Sequence, residues 1–455
     1  MYDPRVSEGA AQGRVSPKRF AALAVGAFAV RGIFLAAVGT DPRCFLSNDS
    51  PSYVQSAANL ARHGSFSQSE SPPLAPDTVR TPGYPLFLAP FCLGQPRLLA
   101  AIWTQAAVGA LASGLVYSAG ILAGAGPAAG LWAGAFLAAD PVAVFSCGQV
   151  LSDTCFVTVF LASFCLLALA VRDASPGKAA AAGAGFGAAA LVRPAGLYFF
   201  IVAAPLAAWL CRGVPGRRRA ALLALALALF AAAPPLTWAL RNALRAGVFA
   251  VSTIEGINLL LWRGASIDAA VRGVPFEEAH QELEARLRAG LPPGASPAEE
   301  ARAYRREGLR LILGNPGTLA RLCAVETVKM MGGHGMEMAA WLLLKDPDFD
   351  PTRPEPPHRR FGVTLALAQR HPLLGVAAAT YMLGLTLVYG LALIGAWQLF
   401  RERPAAVVLL AAPILYFMTV HCLAAIPYHR FRLPLYPFVL LFAGVGAERV
   451  RRRAS

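Results

Sequence analysis

Asp49 and Arg80 lie in a polar, Pro- and Ser-rich segment, residues 41–90, that separates two stretches almost free of charge. A carboxylate can accept a proton from a substrate hydroxyl, and a guanidinium can bind an anion through paired hydrogen bonds. Two prolines in RTPGYPLF (80–87) restrict the backbone around a glycine and would hold Arg80 in place. The pattern therefore predicts a substrate site with Asp49 at the mouth of a cavity. An Asp before a Ser-Pro pair also suits a helix N-cap, which is the structural alternative.

Further charged residues interrupt apolar sequence. Asp153 follows the Asp140-Pro141 turn, where it can orient an acceptor or a basic side chain; a helix N-cap is again the alternative. Arg193 precedes a proline inside an apolar run. Such a group usually faces a cavity or a partner, although a long Arg side chain can also extend to the membrane interface. Arg430 and Arg432 stand just before the last apolar run.

The histidines and cysteines form no recognisable metal site. The seven histidines are scattered without an H-E-x-x-H motif, and the eight cysteines include no C-x-x-C pair. We predict mostly buried free thiols, with a Cys44–Cys323 bridge left open. His429 is interpreted as a solvated interface residue, with phosphate contact as the alternative. No cofactor is predicted, and the need for a divalent cation is left open.

The composition excludes an ordinary soluble domain. The chain is 56% hydrophobic and 15% charged, whereas soluble domains have about 25% charged residues. Stretches long enough to cross a hydrocarbon core of roughly 30 Å recur between residues 19 and 450. The predicted fold is an all-α polytopic integral membrane protein with about ten transmembrane helices. They are predicted at about 19–39, 98–122, 128–145, 151–171, 179–191 and 195–211 (two short helices that meet at a break), 220–240, 373–400, 405–423 and 433–445. The Gly-rich runs GAGPAAG (124–130) and GAGFGAAA (183–190) are interpreted as close helix packing by small residues. The net charge of +15 does not indicate nucleic-acid binding, because the basic residues lie in short clusters between apolar runs.

The pattern of charge divides the chain into three predicted parts. Residues 1–240 form an N-terminal transmembrane module that contains the first outer loop, 40–97, with a short amphipathic helix at 51–64 lying in the interface. Residues 241–372 form a polar, helical insertion, and residues 373–455 form the closing transmembrane helices and a basic tail. Lys and Arg cluster at 5–19, 172–178, 212–219, 401–403 and 449–453. The positive-inside rule then places both termini in the cytoplasm, and the loop and insertion on the outer face.

The segments SNDSPSYVQSAANLARHGSF (47–66) and RTPGYPLFLAPF (80–91) resemble the first outer loop of GT-C glycosyltransferases. The subgroup includes the protein O-mannosyltransferases and the lipid A aminoarabinose transferases. Segments in the same order along the chain agree, among them LSDTCFVTVFLASFCLL (151–167), AALVRPAGL (189–197), GINLLLWRG (256–264), ILGNPGTLARL (312–322) and YHRFRLPLYPFVLL (428–441).

The resemblance implies an inverting transfer of a sugar from a polyprenyl-phosphate donor to the hydroxyl of a lipid, polysaccharide or protein acceptor. The resemblance also implies that this transfer occurs on the outer, periplasmic side of a bacterial inner membrane. Asp49 matches the general base of the first loop, and Ser50 after it departs from relatives with an Asp-Glu pair. Arg80 and Arg432 are the preferred ligands of the donor phosphate, with Arg193 as a third.

Asp153, Tyr53 and Tyr84 are candidates for orienting the acceptor. The alternative function is a transporter or flippase of a lipid-linked saccharide. Such proteins commonly have matching broken helices in two pseudo-symmetric halves, and the Arg193-Pro194 break has no evident counterpart in the sequence.

Overall fold

The computed structural model describes residues 14–212, 216–349, 360–424 and 426–454, and every regular element in these ranges is helical. The first part contains α1 (Pro17–Val38), α2 (Ser50–His63), α3 (Gly83–Leu88), α4 (Leu98–Leu122), α5 (Pro127–Ala139), α6 (Pro141–Cys147), α7 (Asp153–Arg172), α8 (Pro176–Val192), α9 (Phe199–Cys211) and α10 (Arg217–Ala246). Many helices begin with proline, whose fixed φ and missing N–H suit the first helical position. Arg5 and residues 350–359, which the sequence analysis assigned to the cytoplasmic side and to the insertion, lie outside the described ranges.

The second part is also helical. It contains α11 (Ile254–Ile257), a π-helical stretch (Asn258–Gly264), α12 (Ala265–Arg272), α13 (Phe276–Ala289), α14 (Pro297–Gly314), α15 (Pro316–Gly332), α16 (Met336–Leu344) and α17 (Arg360–Arg370). The chain closes with α18 (Pro372–Glu402), α19 (Pro404–Ala424), a 3₁₀ helix (His429–Arg432) and α20 (Tyr436–Ala454).

Within the described ranges, seven helical stretches are long and apolar enough to cross a membrane: α1, α4, α7, Pro194–Cys211, α10, α18 and α19. The bent pair α5 and α6 makes eight if it is counted as one span. At 17 residues α8 is shorter than these spans, and the last turn of α20 is basic. A polytopic helical membrane fold is thus confirmed, whereas the count of ten spans stays a prediction.

Two breaks interrupt the predicted crossings. The break at Arg193 is confirmed: α8 ends at Val192, and Arg193 is extended, as expected for a residue before proline. The other break was not predicted, because residues 128–145 were interpreted as one continuous crossing. Here α5 and α6 meet at 55°. The Asp140 carboxylate caps α6 by accepting from Ala143 N at 2.9 Å, and Pro141 removes the N–H that would have continued α5.

The core of the bundle is built on phenylalanine side chains of α7. Phe160 lies 4.9 Å from Phe417 of α19, and Phe164 lies 4.7 Å from Phe438 of α20, measured between ring centroids. Small residues allow other helices to approach closely. A Cβ at Gly187 would lie 2.7 Å from the carbonyl oxygen of Ala231. The Gly-rich runs therefore serve helix packing, as predicted.

The 40–97 loop contacts both ends of the insertion. Thr253 N donates to Thr78 O at 2.8 Å, and Lys345 Nζ donates to Cys44 Sγ at 3.1 Å. All eight cysteines are free thiols and seven of them are buried, so the structure contains no Cys44–Cys323 bridge. We call the end of the bundle that carries these segments the loop side.

Candidate active site

Asp49 lies between two arginines from distant parts of the chain. Its Oδ1 is 2.7 Å from Arg80 Nη2, and its Oδ2 is 3.5 Å from Arg430 Nη2. The Asp49 side chain keeps 38% of its surface exposed, against 16% for Arg80 and 15% for Arg430. The carboxylate is therefore reachable from outside, while the two cations that flank it are largely enclosed.

The backbone of Asp49 occupies the N-cap position of α2, but its side chain makes no capping hydrogen bond. Ser52 Oγ donates to the Asp49 carbonyl oxygen at 2.7 Å instead. Asp49 thus occupies the N-cap position, but its carboxylate does not cap the helix. Both oxygens of that carboxylate face guanidinium groups.

Arg80 is held by α2 and by the turn that follows Arg80 in the chain. Its Nε donates to Ser52 Oγ at 2.9 Å, and its guanidinium lies 4.7 Å from the centre of the Tyr53 ring. Gly83 allows this turn to lie against α8, because a Cβ there would be 2.7 Å from the carbonyl oxygen of Leu191. The RTPGYP motif therefore places Arg80 next to the break that carries Arg193.

A second ion pair joins Asp153 of α7 to Arg193. Asp153 is the first residue of α7, and its side chain is 3% exposed. The Phe431 ring connects the two pairs, since the guanidiniums of Arg193 and Arg430 lie 5.2 and 5.6 Å from its centre. We call the five side chains Asp49, Arg80, Asp153, Arg193 and Arg430 the charged cluster.

The 3₁₀ helix His429–Arg432 sends neighbouring side chains to different partners. Arg430 reaches Asp49, whereas Arg432 is fully buried, 3.8 Å from Asp140 Oδ2, and donates to the carbonyl oxygen of Gly333 at 2.6 Å. The preference for Arg432 as the partner of Arg80 is therefore not matched by the structure, which brings Arg430 to that place. A 3₁₀ helix has about three residues per turn, so side chains two positions apart point in different directions.

His429 is also not solvated. Its Nδ1 lies 3.1 Å from Glu337 Oε1, and its side chain is 11% exposed. Glu337 also lies 3.4 Å from His334 Nδ1. No sequence pattern singled out Glu337, because it stands in a short apolar helix far from the other candidates along the chain.

The two tyrosines differ in position. Tyr53 Oη lies 3.4 Å from Ser152 Oγ, and the Tyr53 ring packs edge-on against Tyr84 with centroids 5.0 Å apart. Tyr84 is fully buried and donates to Gln105 Oε1 at 2.7 Å. The structure thus keeps Tyr53 beside Arg80 but places Tyr84 behind the site, where it joins α3 to α4.

The electrostatics favour an anionic ligand. Withdrawal from solvent raises the pKa of the Asp49 carboxyl, but the positive charges of Arg80 and Arg430 outweigh this and leave the pKa below its ordinary value. With three arginines and two aspartates, the charged cluster has one surplus positive charge. Across the described parts of the chain, no three His, Cys, Asp or Glu side chains gather as a metal-binding group.

No protein-family model matches the sequence, and no curated protein matches it significantly. Among solved structures, the fold is similar to the oligosaccharyltransferase AglB from Archaeoglobus fulgidus in complex with an inhibitory peptide and a dolichol-phosphate. The identity is 14% and the TM-score 0.53, over 95% of this chain and 50% of that one. The apo form of the same enzyme gives 14% identity and a TM-score of 0.52 over 96% and 50%.

ArnT from Cupriavidus metallidurans bound to undecaprenyl phosphate matches at 16% identity over 96% of this chain and 78% of that one. Its TM-score of 0.37 is too low to argue from. The chain spans about half the length of the archaeal enzyme it matches. At this identity the likeness shows the fold alone: the chain has the membrane fold of the archaeal oligosaccharyltransferase, and the resemblance read from the loop motifs is confirmed to that extent.

Proposed function

We propose that this chain is a membrane glycosyltransferase that moves a sugar from a polyprenyl-phosphate donor to an acceptor hydroxyl, with inversion, on the outer side of the membrane. The observation that carries the proposal is the position of Asp49, an accessible carboxylate between Arg80 and Arg430. It lies on the loop side of a bundle with a glycosyltransferase fold. The archaeal enzyme of that fold was crystallised with a dolichol-phosphate, which supports a lipid phosphate as the donor group here.

In the proposed reaction, Asp49 takes the proton of the acceptor hydroxyl while the acceptor oxygen attacks C1 of the sugar. The bond between C1 and the phosphate oxygen breaks on the opposite face, and the lipid phosphate leaves with the electron pair. Arg80 and Arg430 stabilise that anion, since a developing negative charge is otherwise poorly solvated at membrane depth. Arg193 supports them from its ion pair with Asp153.

The two arginines also explain how a carboxylate with a lowered pKa can act as a base. Without a donor, both cations neutralise Asp49 and reduce its basicity. A bound phosphate takes over part of their charge, so the pKa of Asp49 rises towards its ordinary range as the donor arrives. The site thus couples donor binding to activation of the base.

The first experiment compares envelope glycolipids and glycoproteins by mass spectrometry in cells with and without the chain, which identifies the transferred sugar and the acceptor. Asp49→Asn is then expected to lower transfer by about 10²–10⁴-fold, the usual contribution of a general base. Donor binding and membrane insertion should persist. Asp41→Asn is the matched control, because Asp41 lies in the same loop and pairs only with the exposed Arg43 among the described residues.

Retained turnover in Asp49→Asn would remove Asp49 from this role. Failed insertion of Asp49→Asn with normal Asp41→Asn would favour the helix-cap role. A flippase, the alternative function, would move the lipid-linked saccharide without forming a glycosidic bond, so the absence of any new glycoconjugate would favour it.

A further inference from the structure

A groove separate from the charged cluster runs between the loop and the C-terminal part of α10. Its cavity volume is about 440 Å³. We call it the α2–α10 groove. Its walls combine apolar side chains with two arginines and include Leu60, Phe66, Leu86, Trp238, Arg241 and Arg245.

The two arginines of the groove have no carboxylate partner within the described ranges. Arg241 donates to the carbonyl oxygens of Asp77 at 2.9 Å and Phe66 at 3.1 Å. The Asp77 carboxylate is turned towards its own loop, where it accepts from Gln68 Nε2 at 2.8 Å. Arg245 is exposed one helical turn further along α10. The groove therefore presents two positive charges that no ion pair neutralises.

Trp238 adds an aromatic ring to the same wall. Its Nε1 is buried, so a molecule in the groove meets the ring and not the N–H. The Arg241 guanidinium lies 4.7 Å from the centre of the Trp238 ring, which fixes the orientation of both groups.

The other walls of the groove are apolar. They include Leu60, Phe66, Leu74 and Leu86. A molecule with an anionic head on the arginines could lay a hydrocarbon chain against these side chains. None of the five side chains of the charged cluster lines the groove, so a phosphate bound there would not lie between Arg80 and Arg430.

We propose that the α2–α10 groove binds an anionic phospholipid of the surrounding bilayer. Its phosphate accepts hydrogen bonds from Arg245 and Arg241, and an acyl chain lies against the apolar walls of the groove. Through the bonds of Arg241 to Phe66 and Asp77, the bound lipid ties α10 to the loop that ends in Arg80. This inference does not depend on the proposed function.

The test is native mass spectrometry of the purified full chain in detergent. It is titrated with palmitoyl-oleoyl phosphatidylglycerol, with the phosphatidylcholine of the same chains, and with undecaprenyl phosphate. Phosphatidylglycerol is expected to bind more tightly than phosphatidylcholine. Arg245→Gln should weaken phosphatidylglycerol binding roughly fivefold, the contribution of one basic residue at a membrane surface.

Arg218→Gln is the matched control, because it removes the same charge from an exposed position at the other end of α10 and should leave binding unchanged. Equal affinity for the two phospholipids, or equal loss in Arg245→Gln and Arg218→Gln, would overturn the inference. Displacement of phosphatidylglycerol by undecaprenyl phosphate at lower concentration, abolished by Arg245→Gln, would assign the groove to a polyprenyl lipid instead.

Discussion

Replacing Arg430 by glutamine tests a cation of the charged cluster that was not predicted from the sequence as a ligand of the donor phosphate. Arg430 Nη2 lies 3.5 Å from Asp49 Oδ2. For charge centres about 4 Å apart and an effective dielectric constant of about 20, the attraction is about 4 kcal/mol. Because 38% of the Asp49 side chain is exposed, screening by solvent reduces this to about 1.4 kcal/mol, or about one pKa unit.

The sign of the effect follows from the charge. Arg430 contributes to holding the pKa of Asp49 below its ordinary value, so its removal raises that pKa. A base acts in its ionised form, and the acid limb of the kcat/KM profile should therefore move to higher pH by about one unit. On the plateau, loss of a charged donor to the phosphate, about 1.5–3 kcal/mol, should lower kcat/KM roughly 10- to 150-fold.

The assay measures transfer from a radiolabelled polyprenyl-phosphate sugar to the acceptor in opened membrane vesicles from about pH 2.5 to about pH 8, which includes the acid limb of a carboxyl with a lowered pKa. Arg43→Gln is the matched control, because Arg43 is an exposed loop arginine paired with Asp41. If Arg430→Gln has the rate and the acid limb of Arg43→Gln, Arg430 acts neither on Asp49 nor on the phosphate. The ion pair between Asp49 and Arg430 would then have no part in transfer.

Two further substitutions test how the site is supported. Gly83→Ala should lower both the thermal midpoint and transfer, since its Cβ would lie 2.7 Å from the carbonyl oxygen of Leu191; Gly94→Ala, with no atom within 4 Å, is the control. A Gly83→Ala protein with unchanged melting and transfer would show that the turn does not need this close approach. Glu326→Gln removes the carboxylate 2.7 Å from the fully buried Arg263, and breaking such a buried pair costs about 3–5 kcal/mol. Thermal unfolding in detergent should show a clear drop in the midpoint, and an unchanged midpoint would mean that Arg263 is stabilised mainly by other contacts.

Much of the architecture is predictable from the sequence because it depends on local properties of the chain. Long apolar runs specify membrane-crossing helices without reference to the rest of the molecule, and α1, α4, α7, α18 and α19 lie where the runs predicted them. A proline also favours an extended conformation in the residue before it, and Pro194 thereby specifies the break at Arg193. The bend at Asp140 shows the limit of this reasoning. The run 128–145 is uniformly apolar apart from one Asp-Pro pair, which is compatible with a span or a turn.

The candidate site also combines features that the sequence predicts with features that depend on the tertiary structure. The sequence by itself determined that Asp49 and Arg80 belong to one polar loop, since that follows from composition and from the rigid RTPGYP turn. Only the tertiary structure decided that Arg430 and not Arg432 lies beside Asp49, that Arg193 pairs with Asp153, and that the Tyr84 hydroxyl is directed to Gln105. The physical reason is that these contacts join residues more than 20 positions apart, and in some cases several hundred. The direction of each side chain in a 3₁₀ turn depends on how whole helices pack, which no local pattern encodes.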